Sequence, residues 1–173
     1  MSKFKGRYRI ESTRFPDWDY RTAGFYFVTI CTKRQQLFLG SIVDEKICLS
    51  SIGKIVSYEW REIQKHHRGI VLDHWIVMPD HLHGIIVIQE NDQVKNNQKI
   101  QSPSLGVVVN QFKGRCTRRI HATGHRDFSW QRGYYDQIIR NETMLAYVRQ
   151  YIESNPAKWQ LDKDIAENID THL

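Results

Sequence analysis

Cysteine is scarce in this 173-residue chain, and the three present, Cys31, Cys48 and Cys116, are far apart and odd in number. They form neither a disulfide framework nor a CxxC clip for zinc, and read as reduced, mostly packed thiols. No apolar run approaches the roughly 20 residues that a bilayer-spanning helix needs, which excludes a membrane span of that kind. The opening MSKFKGRYRI is basic but leads into no apolar stretch, so no secretory signal is expected and the expected compartment is the cytoplasm. A GxxxxGKS/T loop is missing, which argues against a P-loop nucleotide cofactor. Neither HExxH nor GxSxG is present, and no segment repeats.

What is there has an ordinary globular composition, 40% hydrophobic and 25% charged. The length suits one domain over residues 1–173, large enough to bury its own core. The net charge of +6 points to a polyanionic partner, although the same excess also serves solubility.

Periodicity predicts the order β-β-α-β-β-α-β-α. FYFVTICT (25–32) is β-branched and aromatic, a core strand with which KICLS (46–50) could pair. Ile52, Ile55, Val56, Glu59, Trp60 and Ile63 recur at helical spacing over 52–66, with Ser50 or Ser51 as cap. Residues 70–78 and 83–89 read as a hairpin turning at Pro79-Asp80. The Asn/Gln-rich stretch 90–104 reads as a flexible polar loop. A helix is expected over 104–120, capped by Ser104, then a loop and a strand-like YYDQIIR (134–140). A last helix over 142–155 has Asn141 as cap and Pro156 as its stop, and the tail after residue 160 is weakly patterned. The resulting fold class is α+β, an antiparallel sheet with helices mainly on one face.

Three features bear on chemistry. His81 and His83 are two apart on a strand, so both rings share a face and could chelate one metal ion. Asp80 could orient one ring, and Gly84 leaves room beside it. Two surface histidines beside a turn would look the same. Tyr151 and Asn155 are four apart on a predicted helix and project together, with Tyr147 one turn earlier. A phenol is a weak nucleophile at neutral pH, its pKa being about 10, but a metal can polarise its target. On spacing alone such residues equally serve packing and a helix end. Finally, Lys113, Arg115, Arg118 and Arg119 crowd one helix end. Lys3, Lys5, Arg7 and Arg9 alternate with Phe4 and Tyr8, and Trp130, Arg132, Tyr134 and Tyr135 cluster. Cations take phosphates and aromatics stack unpaired bases, though a solvated basic face has the same composition.

DHWIVMPDHLHGIIVI (73–88) and WQRGYYDQIIRNETMLAYVRQYIESNPAKW (130–159) closely resemble the REP-associated tyrosine transposases of the single-tyrosine HUH superfamily. FYFVTICT and GKIV (53–56) fit the same likeness, which runs from about residue 20 to 160. The resemblance implies a ferredoxin-like or RRM-like fold and often a homodimer. It implies His81, His83 and Asn155 as ligands of Mg²⁺ or Mn²⁺, and Tyr151 as a nucleophile that cuts and rejoins single-stranded hairpin DNA through a 5′-phosphotyrosine link. Lys113, Arg115, Arg118, Arg119 and Arg132 are the candidate phosphate contacts. Two rival readings are a non-catalytic RRM-like nucleic-acid binder and a metal-dependent phosphodiester hydrolase.

Overall fold

A computed structural model describes residues 18–90 and 102–159 in full, and elsewhere only the backbone of residues 3–4, 7–8, 94–95, 98–99 and 160–170. The first long strand, β1, is Gly24–Cys31. Its alternation is clean: Tyr26, Val28 and Ile30 are fully buried in one core, whereas Phe25 and Phe27 pack on the other face. Gly40–Val43 (β2) and Lys46–Leu49 (β3) follow. The predicted strand at 46–50 is real, but it pairs with β2 rather than with β1. The cause is local. Asp44 and Glu45 both take positive φ, 48° and 59°, making a tight two-residue turn whose twist closes a hairpin at once.

Helix α1, Ser51–His66, starts where expected. Ser50 Oγ accepts from Gly53 N–H at 3.0 Å and donates to Phe38 O at 2.6 Å. A cap of this kind contributes about 1 kcal/mol. Ile52, Val56, Trp60 and Ile63 form its buried stripe. Strands β4 (Ile70–Val77) and β5 (His81–Ile88) make the anticipated hairpin. The polar stretch beyond it, expected as a flexible loop, carries a small ladder, Val94–Lys95 against Gln98–Lys99. Lys3–Phe4 pairs with Arg7–Tyr8 near the start; the side chains of that basic, aromatic segment lie outside the described residues.

Helix α2, Leu105–Ala122, buries Leu105, Val108, Val109, Phe112, Cys116 and Ile120. Strand β6, Tyr135–Ile139, joins the sheet edge. Helix α3, Glu142–Asp170, begins with Asn141 Oδ1 accepting from Met144 N–H at 2.8 Å. It does not stop at Pro156, as the sequence suggested, but runs through it. Proline forfeits the hydrogen bond to Ile152 and crowds its carbonyl. Here Ile152, Asn155 and Pro156 are all buried, so packing holds the helix across the break.

The main sheet has the order β6-β1-β5-β4, antiparallel throughout. Helices α1 and α2 cover one face, with Trp60 and Phe112 in edge contact at 5.1 Å. Helix α3 lies across the other face on Leu145, Val148 and Ile152, against Ile85 and Ile139. The α+β class therefore holds, with two helices on one side and the third opposite. Gly84 serves the α1 face rather than the histidines: a β-carbon there would overlap the Trp60 ring.

Candidate active site

His81 and His83 open β5, and pairing fixes their face. His81 stands opposite Cys31 and His83 opposite Thr29. Leu82, between them, is fully buried in the α1–α2 core, so both imidazoles turn toward α3. The turn before them is pinned from outside: Thr32 N–H donates to Asp80 O at 2.8 Å, and Leu39 N–H to Pro79 O at 2.9 Å.

Asp80 does orient a ring. Its Oδ1 lies 2.5 Å from His81 Nδ1, which places the proton on Nδ1 and frees the Nε2 lone pair. His83 Nδ1 lies 2.8 Å from Thr29 Oγ1. The two Nε2 atoms then face each other at 3.0 Å. Two nitrogens held this way must share a proton or a cation. Burial first, and then the repulsion that a protonated His81 would exert, push the His83 pKa down to about 3. His83 is therefore neutral in the working range, the state in which imidazole ligates metal.

Helix α3 supplies the facing groups. The Tyr151 ring lies 5.3 Å from that of His83 and meets Phe27 edge-on at 6.0 Å. The Trp159 ring lies 5.7 Å from that of His81. Tyr151 and Trp159 are two turns apart, so Asn155 stands midway on the same side, 8% exposed. Lys158 Nζ sits 5.3 Å from the Tyr151 ring centroid. Tyr147, the other candidate, is 69% exposed.

Two facing imidazole nitrogens suit a divalent first-row ion better than an all-oxygen donor set such as calcium's would, and Asn155 stands on the helix face turned toward them. Among the described residues no group of three or more His, Cys, Asp or Glu side chains could hold a metal ion, so further donors would be oxygens of Asn155, water or substrate.

Sequence reasoning missed the clamp that positions α3. Between Leu72 and Trp75 the β4–β5 register slips, so Asp73 and His74 stand against the single residue Ile85. This bulge re-aims both side chains. Arg149 donates to Asp73 through Nε (2.9 Å) and a terminal nitrogen (2.6 Å), and His74 Nε2 meets Glu153 at 3.0 Å. Those hydrogen bonds from Arg149 hold the Asp73 carboxyl well below the usual carboxylate range. Arg149 and Glu153 flank Tyr151 on the helix, so the clamp fixes its height and rotation. A bulge leaves no periodic signal in DHW.

The basic residues divide. Arg119 bonds Glu59 at 2.6 Å, and Arg115 pairs with the same carboxylate at 3.3 Å, on the α1–α2 side away from the histidines. Lys113 Nζ donates to Gln131 O (2.7 Å) and Gly133 O (2.8 Å), a structural duty. Arg118 and Arg132 are exposed. Trp130 packs on Phe128, and Tyr134 against the same core; Tyr135 alone of that cluster's aromatics is exposed.

The fold and site define an α+β domain with paired histidines on a strand beneath a tyrosine-bearing helix. The chain belongs to the IS200-like transposase family, whose model matches residues 22–155. An uncharacterized protein of Haemophilus influenzae is 33% identical over 169 residues, covering 91% of this chain and 94% of its own. The structure of a REP-associated tyrosine transposase bound to a REP hairpin shares the fold, with a TM-score of 0.58 at 20% identity, covering 91% of this chain and 74% of that one. A putative transposase from Deinococcus radiodurans gives 0.48 at 22% identity, over 88% and 96%. No helix among the described residues is long and apolar enough to cross a membrane.

Proposed function

We propose that this transposase-family protein cuts and rejoins single-stranded DNA beside a hairpin, with Tyr151 as nucleophile. One observation carries the reading: the Tyr151 ring stands against His83, whose Nε2 faces that of His81 at 3.0 Å. Exposed Tyr147 has no such setting. The hairpin substrate is inferred from the family and from the DNA held by the structural relative.

His81, His83 and Asn155 would hold Mg²⁺ or Mn²⁺, with histidine favouring Mn²⁺. Such an ion supplies charge stabilisation to a phosphate in its transition state. The chain's own residues do the rest. Asp80 and Thr29 fix the two rings, and the Asp73–Arg149 clamp presents Tyr151. The phenolic oxygen attacks phosphorus, the bond to the 3′ oxygen breaks, and that oxygen leaves as a hydroxyl carrying the proton tyrosine gave up. The 5′-phosphotyrosine keeps the energy of the phosphodiester, so a second 3′-hydroxyl can displace Tyr151 and seal a strand.

The test is cleavage of hairpin-bearing oligonucleotides labelled at either end, with Mn²⁺ titrated in. The 5′-labelled fragment is expected free with a 3′-hydroxyl, and the 3′-labelled fragment bound to protein. His81→Ala and His83→Ala are expected to abolish Mn²⁺ binding, read by electron paramagnetic resonance, together with cleavage. Release of both fragments free would replace this reading with hydrolysis.

A further inference from the structure

Tyr135 opens β6 and pairs with Thr29, which on its other side pairs with His83. Directly opposed residues of antiparallel strands project to the same face. Tyr135, Thr29 and His83 therefore form one row across the sheet, on the side of α3. Strands lie about 4.8 Å apart, which puts the Tyr135 backbone roughly 10 Å from that of His83.

At the far end of β6, Ile139 on this face is 7% exposed and packs with Leu145, Val148 and Ile152 of α3. At the near end the helix stays over His83, through Tyr151, and the edge strand is left open. Tyr135 is 43% exposed, and Gln137, the next residue on this face, is exposed too. Arg132 is exposed three residues earlier, on a segment that Lys113 ties down through Gln131 O and Gly133 O. An open aromatic ring on an edge strand, with an exposed cation three residues before it in the chain, suits a flat, uncharged group attached to a phosphate chain.

We propose that Tyr135 is the stacking platform for one unpaired base next to the phosphodiester that the histidine pair engages. The inference rests on the reading of the site given above, and it adds where the strand enters: across the β6 edge, past Arg132, toward His83. Stacking of this kind tolerates any base, so Tyr135 would set the path of the strand and not its sequence.

The experiment uses the full chain and hairpin oligonucleotides whose single-stranded positions are replaced one at a time by 2-aminopurine or by an abasic residue. Binding is read without Mn²⁺, by fluorescence. One position is expected to be quenched by the native protein and by Tyr135→Phe, and unquenched by Tyr135→Ala and Tyr135→Leu. Removing the base there is expected to weaken native binding about tenfold and to leave Tyr135→Ala unchanged. Circular dichroism of each variant, with Tyr135→Phe as the conservative case, separates stacking from misfolding. If Tyr135→Ala tells base from abasic site at every position as the native protein does, the inference is overturned, whatever the adduct chemistry shows. If discrimination at Tyr135 persists but no tyrosine adduct forms, the cleavage reading falls alone. A folded protein that binds no oligonucleotide of the series overturns both.

Discussion

Arg149 grips Asp73 through two side-by-side hydrogen bonds, 2.9 and 2.6 Å long, reaching from the tyrosine-bearing helix to the bulge in β4. The contact lies half a turn from Tyr151 and outside the histidine pair. On the proposed mechanism it would act through placement of Tyr151. Asp73→Asn or Arg149→Met is expected to lower the rate of adduct formation at least tenfold while DNA affinity changes less than twofold. Pairing Asp73→Arg with Arg149→Asp is expected to recover part of the rate. Single-turnover kinetics beside equilibrium binding would check this.

The same carboxylate sets a pH dependence. Its folded-state pKa is depressed, first by the Arg149 hydrogen bonds and further by those from His74, so the ionised form is favoured in the folded protein. Its stabilising contribution is complete above the ordinary carboxylate pKa of about 3.9 and is lost as pH falls through the folded value. Urea midpoints of the native protein and Asp73→Asn should differ above about pH 5 and converge in stronger acid.

Gly84→Ala tests the other face of the sheet. The added methyl meets Trp60, which is itself fully buried. Overpacking of this kind costs about 1–3 kcal/mol. A smaller loss is expected when Trp60 is first replaced by Leu, and a double-mutant cycle in urea would measure the coupling.

Of the basic residues, Arg118 and Arg132 are expected to carry salt-dependent binding. Each change to Ala should reduce the slope of log affinity against log salt by about 0.7 for single-stranded DNA. Arg115→Ala and Arg119→Ala should mainly lower the melting temperature, because each strips a partner from buried Glu59. Lys113→Met should loosen residues 131–133, seen as faster amide exchange there.

Much of this was legible in the sequence because periodicity and caps act locally. Ser50, Ser104 and Asn141 announce their helices, and the Leu82 alternation already puts both histidines on one face. What escaped depends on partners distant in the chain. Pro156 looks like a stop until Asn155 and Ile152 are seen buried beside it, and Trp159 then falls in line with Tyr151. Glu59, on a different helix, decides that Arg115 and Arg119 are spoken for. Gly84 reads as room for the site until Trp60 fills the space on the opposite face.

If Tyr151 is the nucleophile, it becomes covalently joined to DNA. That link is tested by incubating the protein with labelled hairpin oligonucleotides and Mn²⁺, separating under denaturing conditions and mapping the adduct by mass spectrometry. A nucleotide is expected on Tyr151, lost in Tyr151→Phe and retained in Tyr147→Phe. An adduct that persists in Tyr151→Phe, or cleavage with no adduct at all, would contradict that role.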